Sequence, residues 1–318
     1  MSKSLLHFAF VIVLAAAACS LIWSGGYLVT VLGFAAVYTI FVIGINFFMG
    51  YTGQVSFGQN AFAALGGYTS AILTTAQGWE PVVALAGAAV MAALIACLIG
   101  WPILKLRGHY LAMATLALGM ISFEISVQWQ SVTGGFMGLP GVPPLSIGPW
   151  ELNSVRAQVS ALLVIAVGFL WASWRLKGLR FGRAVGAVAG DENAAMALGI
   201  NVFQYKLLAF VIAAVCASVA GSLTVHFIGF VSPEMFGLHM VILGFTMLYV
   251  GGIGTVYGPL LGAVLVSVLP EMLRALKDYQ DLAYGIALIL MLMFAPRGLA
   301  SLADFICAKL KVTRDDRP

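Results

Sequence analysis

The chain has 318 residues, of which 62% are apolar and 9% charged, with 16 Lys and Arg against 12 Asp and Glu for a net charge of +4. A soluble domain carries ~25% charged residues to hydrate its surface, so this composition excludes a water-soluble globular protein. It also excludes a nucleic-acid binder, because no clustered basic face is visible on an ordered water-facing surface.

Taken in chain order, uninterrupted apolar stretches predict membrane spans at about residues 5–23, 27–49, 57–76, 82–104, 109–129, 157–174, 207–228, 239–250, 259–272 and 282–296. The expected fold is an all-α polytopic membrane protein of about 8 to 10 transmembrane helices with glycine-broken segments. Residues 1–26 form an N-terminal span, 27–300 the membrane domain, and 301–318 a C-terminal tail. The first span, with Lys3 ahead of it and small residues at 15–18 before Cys19, also resembles a cleavable signal segment. With the N-terminus cytoplasmic, thirteen of the sixteen Lys and Arg fall inside, and Arg156, Arg274 and Lys277 outside. Because Lys and Arg orient a membrane protein, both termini are expected in the cytoplasm.

Two apolar spans run into glycine-rich segments, at 50–58 and 251–259. They lie 200 residues apart, and at that offset Phe57 meets Tyr257, Gly58 meets Gly258 and Ala63 meets Ala263, a weak internal repeat. Irregular backbone is tolerated at membrane depth only where protein or a water-filled cavity satisfies its N–H and C=O groups. Paired breaks of this kind point to a translocation pathway, here Asn46, Gly53, Gln54, Ser56, Gln59 and Asn60 with Gly252, Gly254 and Thr255. The competing reading is close helix packing with the amides cross-linking neighbours. Glu124 is an acidic residue inside a predicted span, about a turn from its outer end; it is either functional or reaches the headgroups. The outer segment that follows, with Thr133, Gly134, Gly135 and Gly138, is too rich in Gly and Pro for a helix and is expected to be an ordered loop serving as a docking surface or gate.

The longest cytoplasmic connection, 175–206, holds a short helix that Asp191 can cap and Gly199 can end, running through Glu192, Asn193, Ala194, Ala195, Met196 and Leu198. Its alanines allow close approach of another protein, with Met196 and Leu198 as an apolar anchor, which makes it a candidate coupling helix; the competing reading is a helix lying passively on the membrane surface. Cys19, Cys97, Cys216 and Cys307 lie far apart and the four histidines are scattered, so neither disulfides nor a metal site are expected. No G-x-x-x-x-G-K-[ST] phosphate loop occurs, so the chain hydrolyses no nucleotide of its own, and no convergent His, Asp, Glu or Cys marks it as an enzyme.

Read together, these motifs resemble the LivM/LivH permeases of branched-chain amino acid ABC importers, and the LivM type above all. The stretch N-F-F-M-G-Y-T-G-Q-V-S-F-G-Q-N at 46–60 resembles the first family signature, and it continues to Tyr68. Y-L-A-M-A-T-L-A at 110–117, Thr133-Gly134-Gly135 with Gly138, the region from Ala194 to Phe210, G-G-I-G-T at 251–255 and Pro296-Arg297-Gly298-Leu299 follow in family order. Gly186, Gly190 and Met120 depart from the usual pattern. The resemblance implies import of leucine, isoleucine and valine by alternating access in a bacterial inner membrane. It implies a LivH-type partner permease, two cytoplasmic LivG/LivF-type ATPases that use ATP, and an extracytoplasmic solute-binding protein. Relatives that carry urea or short amides share the motifs, so that solute class stays open. An ion-coupled secondary transporter would want charged groups in mid-span, and only Glu124 is available.

Overall fold

The computed structural model describes residues 26–147 and 150–273, together with 298–300 and single positions between 273 and 298. The expected first span, the 301–318 tail and most of the expected last span lie outside the described residues. Helix α1 (Tyr27–Ile45) runs into a π-helical turn (Asn46–Gly50), and after an irregular stretch come α2 (Gln59–Gln77), α3 (Pro81–Ile103) and α4 (His109–Gln128). Short pieces follow: α5 (Gln130–Thr133), a 3-10 turn (Gly135–Met137) and strands β1 (Leu139–Pro140), β2 (Ser146–Ile147) and β3 (Trp150–Glu151). Then come α6 (Val155–Gly178), α7 (Arg180–Gly190), α8 (Glu192–Ala197) and α9 (Val202–Ile228). The described chain ends with β4 (Phe230–Val231), a 3-10 turn (Pro233–Phe236), α10 (Leu238–Gly251) and α11 (Gly258–Met272).

The molecule is a polytopic membrane protein, and among the described residues six helical stretches are long and apolar enough to cross a membrane. They differ in what surrounds them. The apolar windows of Tyr27–Gly50 and Val202–Ile228 are 78% and 72% buried, whereas those of α3, α4 and α6 are 22% buried. Helices α1 and α9 therefore form the centre, and α3, α4 and α6 a shell whose outer side chains, such as Leu94, Leu98, Val164 and Trp171, are exposed. An apolar surface of that extent suits lipid rather than water.

Small residues make this centre possible. On α3, Ala84, Ala88, Ala92, Ala96 and Gly100 recur every four residues, so they share one helix face, and that face is buried against α2 and α9. A Cβ on Gly221 of α9 would run into the backbone of Ala63 on α2, and one on Gly44 of α1 into Ala213 of α9. The backbones lie that close because nothing larger separates them. Helix α2 is long enough to span but carries Gln59, Asn60 and paired Gly66 and Gly67; it sits inside the bundle, buried along most of its length.

The Gly- and Pro-rich segment after α4 is an ordered loop. Strand β1 pairs antiparallel with β4, Leu139 opposite Val231 and Pro140 opposite Phe230, and Val142 N–H donates to the Gly229 carbonyl. His226 Nδ1–H donates to the Pro143 carbonyl at 2.8 Å, leaving Nε2 to accept from the Ser70 hydroxyl at 2.7 Å. The loop is thus bolted to the corner between α9 and α10.

Candidate functional site

The π turn at the end of α1 carries Asn46, which is 1% exposed and reaches across the chain to the second glycine segment. Its Nδ2 donates to the Thr255 carbonyl at 2.7 Å, and its Oδ1 accepts from Gly254 N–H at 2.8 Å. Thr255 Oγ1 in turn donates to the Gly252 carbonyl at 2.7 Å and accepts from Gly258 N–H at 3.0 Å. Gly252 and Gly254 have φ of 117° and 74°, a left-handed backbone that L side chains resist. The structure therefore brings the two glycine segments together. Both hydrogen-bonding ends of Asn46 are engaged in that junction, as in the cross-linking reading.

The 175–206 connection closes over the same place. Lys177 Nζ, at the end of α6, donates to the Gly254 carbonyl at 2.5 Å and stands 4.9 Å from the Tyr51 ring centre. Asp191 caps α8 by accepting from Ala194 N–H at 2.8 Å, and Gly199 ends it with φ of 80°. Glu192 forms an ion pair with Lys206 of α9, and the same carboxylate oxygen accepts from Gln54 Nε2 at 3.1 Å. Lys206 is 3% exposed, so a buried cation is neutralised there by α8. Gly53 has φ of 70° and lies against Ala189 of α7. Two sets of hydrogen bonds thus form a collar here: Asn46 and Lys177 of α6 hold the second glycine segment, and Glu192 of α8 holds Gln54 of the first segment and Lys206 of α9.

One expectation for α8 needs correction. Ala195 does not offer itself to another protein: it is 2% exposed and packs inward with Val188 and Val202. With no polar contrast between adjacent alanines, the inward face was not readable. Asn193, Ala194, Met196, Ala197 and Leu198 face outward, Leu198 at 79% exposure.

The start of α2 is built differently. Phe57 N–H donates to Thr115 Oγ1 of α4 at 3.1 Å, and Gly58 fits beneath the Thr115 carbonyl, where a Cβ would collide. Gly58 supplies no side-chain cap, and Gly58, Gln59 and Asn60 are all buried. The first N–H groups of a helix have no intrahelical partner, so a buried uncapped start is a place where a bound molecule can supply one. Ser56 Oγ, both polar atoms of Gln59 and Asn60 Oδ1 are also buried without a hydrogen-bond partner among the described residues. Asn60 Nδ2 donates to the Phe236 carbonyl at 2.9 Å. Native proteins leave few such groups orphaned, and an unseen water or ligand is the usual explanation. Ser56, Gln59 and Asn60 are not drawn into the collar around Asn46 and Gln54.

A cavity of about 440 Å³ opens beside this start. Phe57 and Asn60 form one side, Leu116, Gly119, Met120, Phe123 and Glu124 of α4 another, and Gly237 and Leu238 close it at the head of α10. A second cavity of about 470 Å³, between α2, α3 and α4, is lined almost wholly by apolar side chains such as Leu65, Ile72, Ile95 and Leu118. That groove suits a lipid chain and lacks the convergent polar groups a polar solute needs.

In the outer segment, Thr133 Oγ1 donates to the carbonyls of Ser126 and Trp129 and accepts from Gly135 N–H at 3.1 Å. Gly134, Gly135 and Gly138 all have positive φ, and a Cβ on Gly138 would collide with the Val231 carbonyl. Phe136 and Met137 project from this turn at 61% and 82% exposure.

Lys177, Lys206 and Thr115 hold these arrangements and were not singled out by motif. The available signal was a Lys at 206, immediately ahead of the span expected at 207–228, which as sequence cannot be told from a flanking charge.

Residues 27–295 match the family described as branched-chain amino acid transport system, permease component. The high-affinity branched-chain amino acid transport permease LivM of Escherichia coli is 32% identical over 287 residues, covering 83% of this chain and 67% of that protein. LivH of the same organism is 28% identical, with 82% and 90% covered. BraD of Pseudomonas aeruginosa is 29% identical, with 86% and 94% covered.

Proposed function

This chain belongs to the family of branched-chain amino acid transport permeases, and from that premise we propose that it lines half of an import pathway for leucine, isoleucine and valine. A LivH-type permease supplies the other half, and the two alternate access across a bacterial inner membrane. The asymmetry of Lys and Arg supports cytoplasmic termini, and counting α2 and the terminal spans gives about 8 to 10 crossings. An extracytoplasmic binding protein delivers the solute, with the loop around Thr133, Gly134, Gly135 and Gly138 facing it. Two LivG/LivF-type ATPases hydrolyse ATP beneath α8, and this chain performs no covalent chemistry.

The observation that carries this reading is the shared carboxylate of Glu192, which joins α8 to both Gln54 and Lys206. Movement of the ATPases against Asn193, Ala194, Met196 and Leu198 shifts α8 as a rigid piece seated on Ala195. Glu192 then pulls on the joint between α1 and α2 and on α9 together. Packed helices transmit such shifts as discrete rearrangements rather than by bending.

The test is labelled leucine and labelled urea uptake in cells lacking this chain and in cells with it restored, with ATP held and a protonophore present. Restored leucine uptake is expected. Restored urea uptake alone would replace the solute class, and restoration only without protonophore would replace ATP coupling with ion coupling. Leu198→Arg is expected to lose ATPase co-purification while the membrane domain stays folded.

A further inference from the structure

The three shell helices are buried to the same small extent, yet they do not present the same surface. Helix α3 turns Val90, Leu94 and Leu98 outward, and α6 turns Val164, Val167 and Trp171 outward. Between their first and last turns neither exposes a charged or amide side chain, as a lipid-facing helix requires. Helix α4 differs. Tyr110, Met113, Ala117, Met120 and Glu124 are all exposed, the two methionines at 66% and 62%, and their alternating spacing of three and four residues puts them on one face.

That face has the pattern of a helix-packing seam. Such spacing keeps one stripe against a neighbouring helix over several turns, Met side chains adapt to an irregular neighbour, and Ala117 in the middle lets a backbone approach. Glu124 adds a demand that lipid chains do not meet. Its carboxylate accepts from Gln128 at 2.5 Å, and no Lys, Arg or His is paired with it among the described residues. A carboxylate in a span calls for donors, and this chain supplies one amide. The cavity of about 440 Å³ has Met120 and Glu124 in its wall, so the seam runs into a socket that a neighbour's side chain can fill.

Two permeases of one fold, inserted the same way round, meet through equivalent faces about a twofold along the membrane normal. We propose that the α4 stripe is this chain's face toward the partner permease, and that the partner's equivalent helix brings a basic or amide N–H donor to the level of Glu124. The proposal rests on the permease reading and gives the partner a place and a chemistry. A second copy of this chain does not fit. Pairing α4 with itself sets Glu124 against Glu124 at one depth in a low-dielectric layer, where like charges repel strongly. The carboxylate thus selects a partner of different sequence, while Met113, Ala117 and Met120 supply the packing.

The experiment places photoactivatable benzoylphenylalanine at position 113 or 120 of the full chain, co-expressed with an epitope-tagged partner permease and the ATPases, and irradiates native membranes. Positions 94 and 164, on the outer faces of α3 and α6, are the lipid-facing controls. Adducts to the tagged permease are expected from 113 and 120 at several-fold the yield from the controls. Adducts joining two copies of this chain overturn the selection of an unlike partner. A yield at 113 and 120 no higher than at the controls, with the partner still co-purifying, overturns the face and leaves the permease reading standing. Failure of the partner to co-purify with the wild-type chain overturns both. Glu124→Lys is expected to lower co-purification of the partner several-fold, and Glu124→Gln to keep most of it, with the unfolding temperature of each purified chain measured alongside. Equal co-purification of the wild type and a folded Glu124→Lys variant overturns the pairing assigned to Glu124. The adducts at 113 and 120 are read without relying on folding of either Glu124 variant.

Discussion

The segment 251–258 spends its polar groups on partners: Asn46 takes Gly254 N–H and the Thr255 carbonyl, Lys177 takes the Gly254 carbonyl, and Thr255 ties Gly252 to Gly258. The segment 50–58, with the α2 start it leads into, does the opposite beyond Gln54. Ser56 Oγ, the Gln59 amide and Asn60 Oδ1 are buried with no partner among the described residues, beside a cavity that Asn60 lines. As sequence the two form a weak repeat at an offset of 200 residues. The difference teaches that a glycine break in a span can serve as a locked joint or as an open polar site, and that what decides is whether side chains from elsewhere arrive to satisfy it.

The largest effect should come from Glu192→Ala, where α8 holds Gln54 and α9. It strands the buried Lys206 ammonium, and breaking a buried pair from one side costs about 3–5 kcal/mol. Thermal unfolding of the purified complex should show a large loss, and adding Lys206→Met should restore most of it. Transport should stay lost in the double variant, because α8 no longer grips Gln54 or α9. Recovery of transport with stability would mean that the collar only holds the fold. Next is Asn46→Leu, which orphans Gly254 N–H and the Thr255 carbonyl at about 1–3 kcal/mol for each group. A variant as stable as the wild type would show that the second segment does not need this tie.

Much of the fold was legible. Apolar runs placed α1 with its π turn, α3, α4 and α10 to within a residue or two, because a membrane span must be long and nearly uncharged whatever its neighbours do. The glycine breaks and the Asp191 cap were legible for the same local reason. What escaped was every fact set by distant chain: Asn46 meeting a segment 208 residues away, Lys206 buried by Glu192, and the split between the engaged Asn46 and Gln54 and the orphaned Ser56 Oγ, Gln59 amide and Asn60 Oδ1. Ala195 shows the limit within one helix. Burial of an alanine among alanines leaves no contrast in hydrophobicity to read.

A smaller effect on stability is expected from Gly53→Leu. Its φ of 70° costs an L residue about 1–2 kcal/mol, while the space toward Ala189 at 3.6 Å leaves a Cβ room. The complex should assemble with a slightly lower unfolding temperature, and leucine uptake should fall sharply because the joint between α1 and α2 no longer adopts its turn. Unimpaired uptake would return Gly53 to a packing role.

The smallest effect on stability, and the sharpest test of the contrast, is Gln59→Leu. The side chains are similar in size, so the change removes a buried, unpartnered amide without opening a cavity. Burying a polar group with no partner is itself unfavourable, so the variant should be as stable as the wild type or more so, by about 0–1 kcal/mol. The same kind of change at Asn46 destabilises, and that opposite sign is the signature of a joint against an open site. If the Gln59 amide serves passing solute or the water that accompanies it, leucine uptake should drop several-fold while unfolding shifts little. A marked loss of stability instead would mean that Gln59 is satisfied in the assembled complex, through the partner permease, and that the open site begins at Asn60.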